Sequence, residues 1–367
     1  MREIVEGLTT LKTPIDYLNK KHFFNPKVEL SRDLTILVLK ALNSKDWTVC
    51  DVLAGIGIRG IRIAKECPVK DVWINDISED NIPFMNMNVR LNSVVKKIKI
   101  TNKDANQLLS ENIRTFDYID IDPWGSPSYY FDSCARAIKR TAYIGFSATD
   151  TAALCGTSPV TCLRRYGIES YKTDFFKELG IRILIANAAL SFGKWSFSFK
   201  PFLSYASEHY FRVFAEVKKG KSIASKSLKD NLDYLNYCPK CLWRKVGKVI
   251  TRCEFCGATT KIIGKVWSGL IEDLKFIDKC EEELSRINWL KTETKIKKLL
   301  FLLKNEIIPF YYDIHKICQK HRFGIPNYQK LQNNLMEKDY LANRTHFSNT
   351  GIKTDASLDC LIKRLKR

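Results

Sequence analysis

The sequence has no run of apolar residues approaching the roughly 18 that a membrane-spanning helix needs, and its opening MREIVEGLTTLKTPIDY lacks the apolar core of a secretory signal. Neither a spanning nor an exported protein is expected, and the chain reads as cytoplasmic. Internal repeats at a fixed period and low-complexity tracts are also missing, which excludes a solenoid and a long disordered tail. Histidine is sparse: the five present show no metal spacing, so each reads as structural or partner-facing rather than catalytic. Acidic residues are outnumbered, 40 Asp and Glu against 60 Lys and Arg, for a formal charge of +20. That imbalance exceeds what solubility needs and suggests a polyanionic partner, nucleic acid first, with a solvated basic surface as the bland alternative. Disulfides are not expected among 12 cysteines in a reducing compartment, and four of these have metal spacing instead.

What is present is chain enough for a catalytic domain of about 200 residues and one smaller domain. Between Trp47 and Phe146, short β-branched runs (TVCDVLA, VWIND, KIKIT, YIDID) alternate with amphipathic stretches, the pattern of a parallel α/β sheet. Further on, AYIGFSA predicts another strand, FFKELGIRILIANAALSF a long helix, and SFSFKPFLSYASEHYFRVFAEV a pair of strands. The Lys- and Ser-rich stretch KKGKSIASKSLK, Lys218 to Lys229, is the expected linker. The division expected is a Rossmann-like domain over 1–221 and a smaller α+β domain over 222–367.

The segment CDVLAGIGIRGIRIAKE reads as a strand, a glycine-bearing turn and an amphipathic helix, with Gly55, Gly57 and Gly60 letting the backbone approach a ligand closely. Asp76 ends the next strand, about 20 residues beyond the turn, where a carboxylate can accept from both ribose hydroxyls of an adenosine. Asp104 falls at a third strand end, where its carboxylate and the following backbone N–H can read an adenine. A pyrophosphate would want a bare helix N-terminus. Here the turn carries Arg59 and the aspartates suit an adenosine without phosphates, so S-adenosylmethionine fits at least as well as a dinucleotide. The alternative for Asp76 and Asp104 is helix capping.

The fourth strand ends in Asp122-Pro123-Trp124-Gly125. Methyl transfer to an exocyclic amine needs such a turn, because the amine lone pair is delocalised into the base and is a poor nucleophile. A carboxylate that accepts the amine hydrogens localises and aims that lone pair, and also takes the proton. Trp124 offers a face for a base removed from its stack. A capping aspartate and a core tryptophan remain the plain reading of the same residues. Downstream, Cys238-x2-Cys241 and Cys253-x2-Cys256 have the spacing of a closed, structural four-thiolate zinc site, and the other eight cysteines read as small buried apolar residues.

Taken in order, IVEG, FFNPKVELSRDLT, AGIGIRGIRIAKE, NDIS, DANQLL, DIDPWGSP, SATDTAALCGTSPVTCLRRYG, ELGIRILIA, HYFRVFAEVK and NRTHFSNTGIKTDAS resemble the tRNA guanine-26 N2-dimethyltransferases over nearly the whole chain. The resemblance implies a class I methyltransferase fold, with S-adenosylmethionine contacted by Arg32, Arg59, Asp76, Asp104 and Ala105. It implies Asp122 as the catalytic carboxylate, with Phe23 and Trp124 gripping the flipped base. Two departures stand out: Trp124 occupies a position where the family usually has phenylalanine, and AGIG replaces a serine- or threonine-bearing turn. The D-P-aromatic turn alone would also permit adenine N6 of DNA or an rRNA guanine, and a catalytically inert zinc-ribbon RNA-binding protein is the reading from another class.

Beyond the cysteines, residues 307–340 predict a helix, a turn with Gly324 and Pro326, a second helix and a strand, compatible with a helix-turn-helix or winged-helix unit. Its lysines and arginines, with Lys363, Arg364, Lys366 and Arg367 at the end, are expected to meet tRNA phosphates without reading bases.

Overall fold

The computed structural model describes residues 1–14, 24–207 and 209–366. Phe23, His22 and Arg367 lie outside the described residues. The chain opens with the antiparallel hairpin β1 (Arg2–Glu6) and β2 (Thr9–Thr13), followed by α1 (Glu29–Ala41). Then come β3 (Thr48–Asp51), α2 (Ile58–Glu66), β4 (Asp71–Asn75), α3 (Ile82–Leu91), β5 (Ile98–Thr101), α4 (Ala105–Glu111), β6 (Phe116–Ile121), α5 (Phe131–Ala137) and β7 (Ile138–Ala148). Short helices α6 (Thr151–Leu154) and α7 (Pro159–Tyr166) lead to the long α8 (Phe176–Lys194), and a hairpin of β8 (Phe197–Ala206) and β9 (Phe211–Lys219) completes the main sheet.

That sheet has seven strands in the order β5-β4-β3-β6-β7-β9-β8. The pairs from β5 through β7 are parallel, and β9 and β8 run antiparallel at the far edge. Helices cover both faces, so a central strand is buried on both sides; β6 reads almost continuously apolar for that reason, apart from its acids. The chain order reverses between β3 and β6. At such a switch point the flanking turns part and leave a crevice beyond the carboxyl ends of the strands.

Helix α8 is buried nearly all round, because the sheet lies on one side of it and the C-terminal region on the other. The expected linker is instead α9 (Lys221–Asn231). Its polar residues do structural service: Ser227 Oγ donates to the Phe199 carbonyl at 3.0 Å and accepts from the Phe199 N–H at 3.3 Å, fastening the helix to β8. A three-stranded sheet of β10 (Leu232–Tyr237), β11 (Arg244–Gly247) and β12 (Lys261–Trp267) carries the cysteines in its connections. Helices α10 (Leu274–Arg286) and α11 (Glu293–Lys304) turn back to pack on α1.

The remainder is β13 (Tyr312–Asp313), α12 (Ile314–His321), α13 (Tyr328–Met336), β14 (Ala342–Thr345), β15 (Ser348–Thr354) and α14 (Leu358–Leu365), the helix-turn-helix-strand succession read from the sequence. The RTHF and GIKTD motifs lie on its hairpin. His346 Nδ1 meets Glu306 at 2.8 Å while its Nε2 accepts from the Ala206 N–H at 3.1 Å, so this ring ties the hairpin to the end of β8. Lys353 reaches the buried Glu178 of α8 at 2.8 Å, and Glu178 also accepts from the Phe310 and Tyr311 N–H groups. No helix among the described residues is long and apolar enough to cross a membrane.

Candidate active site

A cavity of about 490 Å³ lies at the switch point, lined by Arg32, Gly55, Arg59, Asp76, Asp122, Trp124 and Tyr130 among others. The glycine turn shapes its floor. Gly57 adopts φ +90°, and a Cβ on Gly60 would lie 2.1 Å from Ile74 Cγ2, so only glycine lets α2 sit this close to β4. Asp76, at the end of β4, is locked from two sides: Oδ2 accepts from the Gly55 N–H at 2.8 Å, and Oδ1 accepts from Ser78 N at 2.9 Å and Asn81 Nδ2 at 3.1 Å. The carboxylate therefore faces the cavity in one fixed pose.

Arg59 is the hub. Its guanidinium donates to Thr35 Oγ1 at 2.7 Å, lies 3.3 Å from Asp120 Oδ1, and pairs with Asp122. Asp120 is fully buried and is also bound by Arg212 and by the Tyr118 hydroxyl, the latter at 2.6 Å. Burial alone would raise its pKa, but the charges of Arg212 and Arg59 outweigh burial and hold it below the ordinary carboxylate range. Asp51, at the end of β3, has the opposite fate. Burial, reinforced by the charge of Asp120, pushes it up to about 7, with Arg59 and the Gly60 N–H only partly opposing. Two buried carboxyls a strand apart thus sit in different protonation regimes.

Asp122 lies one residue beyond β6 with its side chain about a quarter exposed, and Trp124 projects with two thirds of its surface exposed. The turn between them is fastened from outside: Gly125 N donates to Thr149 Oγ1 at 2.6 Å, and Thr149 N donates to the Gly125 carbonyl at 2.9 Å. Acid and indole are thereby held on one rigid rim.

Of the residues singled out from the sequence, Arg32, Arg59, Asp76, Asp122 and Trp124 share this cavity. Arg32 comes with its guanidinium engaged by Glu6 at 2.6 and 2.8 Å. Asp104 and Ala105 are not among the lining residues. Asp104 caps α4, accepting from Asn106 N and Gln107 N, while its charge reaches the lining residue Tyr130, whose pKa is raised by burial and then by Asp104. Phe23 is outside the described residues; its neighbour Phe24 is buried in the cavity wall.

Asp51, Asp120 and Arg212 were not picked out from the sequence. The signal for Asp120 was available in DYIDID, because an acid in a strand buried on both faces demands a cation.

The four cysteines gather as their spacing implies, with all Sγ atoms within 4.8 Å of one another. Cys238 to Cys256 is 3.6 Å and Cys241 to Cys253 is 3.5 Å. Thiolates placed tetrahedrally about 2.3 Å from a zinc ion are about 3.8 Å apart, so the set fits that ion. The two knuckles are built alike: Leu242 N donates to the Cys238 carbonyl and Gly257 N to the Cys253 carbonyl, and Leu242 and Gly257 both have φ near +70°. Six of the other cysteines are buried, and Cys155 and Cys360 are partly exposed.

Comparison with known proteins converges on one family. The profile of "N2,N2-dimethylguanosine tRNA methyltransferase" matches residues 7–366. The tRNA (guanine(26)-N(2))-dimethyltransferase of Methanobrevibacter smithii is 37% identical, covering 98% of this chain and 95% of that one. The enzyme of the same name from Pyrococcus horikoshii is 35% identical over 94% of this chain and 92% of its own. The solved structure of Trm1 from P. horikoshii in complex with S-adenosyl-L-methionine superposes with a TM-score of 0.92 at 34% identity, covering 100% of both chains. A cavity at the switch point, an acid-proline-aromatic rim and full-length similarity agree, and the chain belongs to the N2,N2-dimethylguanosine tRNA methyltransferase family.

Proposed function

We propose that this protein transfers one or two methyl groups from S-adenosylmethionine to the exocyclic N2 of guanine 26 in tRNA, with residues 1–221 carrying the chemistry and residues 222–367 the metal knuckle and much of the grip on tRNA. The observation that carries this reading is the placement of Asp122 and Trp124 on one rigid rim of the cavity that also holds Asp76. Asp76 accepts hydrogen bonds from the ribose, and the backbone of the glycine turn lies beneath it. Asp104 and Ala105 serve the adenine edge from the α4 terminus, and Arg32 and Arg59 complete the wall.

The methyl donor supplies a carbon already bound to a positively charged sulfur. Asp122 accepts the N2 hydrogens and turns the nitrogen lone pair toward that carbon. As the new C–N bond forms, the C–S bond breaks and its electron pair stays on sulfur; the surplus proton passes from nitrogen to the Asp122 carboxylate and then to water. Arg59 pairs with this carboxylate and keeps it aimed. The lifted base lies against Trp124, and Phe23 is the second residue that the family resemblance assigns to gripping it.

Cys238, Cys241, Cys253 and Cys256 would hold a zinc ion in a structural role, all four thiolates being used on the metal. The basic C-terminal surface meets the tRNA backbone in the cytoplasm, so affinity falls steeply with added salt. The test is incubation with an unmodified tRNA transcript and methyl-labelled S-adenosylmethionine, followed by nucleoside mass spectrometry. N2,N2-dimethylguanosine at position 26 is expected; bound but unmethylated tRNA would sink the reading.

A further inference from the structure

The SATDTAALCGTSPVTCLRRYG motif fastens the rim turn through Thr149, and the helix that follows has no part in the chemistry above. Helix α7 buries Cys162 and Tyr166, four residues apart, and turns the opposite face outward. On that face Val160 is 73% exposed and Leu163 48% exposed, with Arg164 exposed beside them. Positions 160, 163 and 164 are three and four residues apart and so form one continuous strip. Tyr129, 60% exposed, stands on the segment that leaves the Trp124 turn.

This strip is fixed to the catalytic rim. Asp150 accepts from Arg165 Nη1 at 2.9 Å and from the Tyr166 hydroxyl at 2.6 Å. Thr149, next to Asp150, in turn exchanges hydrogen bonds with Gly125 of the turn that follows Trp124, and the Arg165 charge acts on Tyr129. An exposed aromatic ring and two exposed aliphatic side chains grouped on one face, in a helix fastened to the loop behind the rim, are the mark of a surface kept for a partner.

We infer that the α7 face, with Tyr129, is a platform for the nucleotides adjoining the flipped guanine. The inference rests on the tRNA reading above. A guanine lifted from its stack leaves its neighbours with uncovered faces, and an aromatic side chain replaces that stacking without reading sequence. Arg164 supplies a cation within the same strip for the connecting phosphate, in a chain whose charge of +20 already favours a polyanion over another protein.

The test uses the full chain, S-adenosylmethionine and a tRNA transcript. Tyr129→Ala is expected to raise KM for tRNA about tenfold, the usual loss on removing one stacking face, and Leu163→Ser, which removes an apolar contact only, to raise it by less. They leave kcat and S-adenosylmethionine affinity within about twofold, and Tyr129→Phe restores KM. Arg164→Gln is expected to lower the slope of log affinity against log salt by about one, whereas Tyr129→Ala leaves that slope intact. If the wild-type chain methylates tRNA while KM and salt slope stay at wild-type values in every variant, the platform is refuted and the function stands. Variants that alter sedimentation without altering KM would assign the strip to a second copy of the chain and overturn the proposal. A wild-type chain that methylates no tRNA guanine overturns both readings together.

Discussion

Asp120 and Asp122 are two residues apart and both meet Arg59, yet their replacement by asparagine is expected to have opposite consequences. In Asp122→Asn, Arg59 keeps Thr35 Oγ1 at 2.7 Å and Asp120 at 3.3 Å, so no buried cation is stranded. The lost carboxylate is itself about a quarter exposed, which limits the stability cost to about 1 kcal/mol. The chemistry suffers instead: a positioned general base contributes about 10²- to 10⁴-fold, and kcat should fall by that factor while tRNA affinity holds. In Asp120→Asn, the fully buried Arg212 loses the carboxylate that neutralises it and Arg59 loses one of its two. Breaking a buried pair from one side costs about 3–5 kcal/mol, so this variant should show a large drop in the urea midpoint. The assay is a pair of urea titrations beside single-turnover methylation of a tRNA transcript. Equal destabilisation of the two variants, or more than about a tenth of wild-type activity in Asp122→Asn, would refute the division of labour between these acids.

Three further outcomes follow from the same structure. Gly60→Ala places a methyl group 2.1 Å from Ile74 Cγ2 and must push α2 off β4; overpacking of this kind costs about 1–3 kcal/mol. Calorimetry should find S-adenosylmethionine binding weakened more than tRNA binding, and equal affinity for S-adenosylmethionine would count against the close-packed turn. Complete removal of metal with a chelator should speed hydrogen exchange in β10, β11 and β12 before the parallel sheet responds, and an unchanged melting profile would exclude a structural ion at the four cysteines. Asp51 titrates near 7 in the folded chain against an ordinary 3.8, so between about pH 4 and 7 the folded state holds a proton that the unfolded state has released. Stability from this group therefore declines as pH rises through that window and levels off above it. Asp51→Asn should remove that part of the decline, so its urea midpoint relative to wild type is higher near pH 8 than near pH 5; a constant difference would place Asp51 in the ordinary range.

Much of the site was legible because parallel α/β sheets put chemistry at strand ends, and strand ends are what short β-branched runs announce. Asp76 and Asp122 each follow such a run directly, so position along one strand was enough to find them. The linker reading of Lys218 to Lys229 failed for a matching reason: composition shows how polar a segment is, while Ser227 grips the Phe199 backbone through hydrogen bonds that polarity alone does not reveal.

Asp104 shows a different limit, since the same carboxylate can cap α4 with one oxygen and still face a ligand, and strand-end placement does not separate the two. The deepest gap concerns Asp120 and Arg212. An acid in a strand buried on both faces requires a counter-charge, and that much follows from DYIDID alone. The counter-charge comes from β9, 92 residues later and across β7, because the antiparallel hairpin at the sheet edge returns Arg212 over the same face. Charge pairing across a sheet is set by strand order and by which face each residue takes, and both are properties of the closed sheet rather than of either strand. The sequence therefore discloses that a buried cation is needed and leaves its address to the topology.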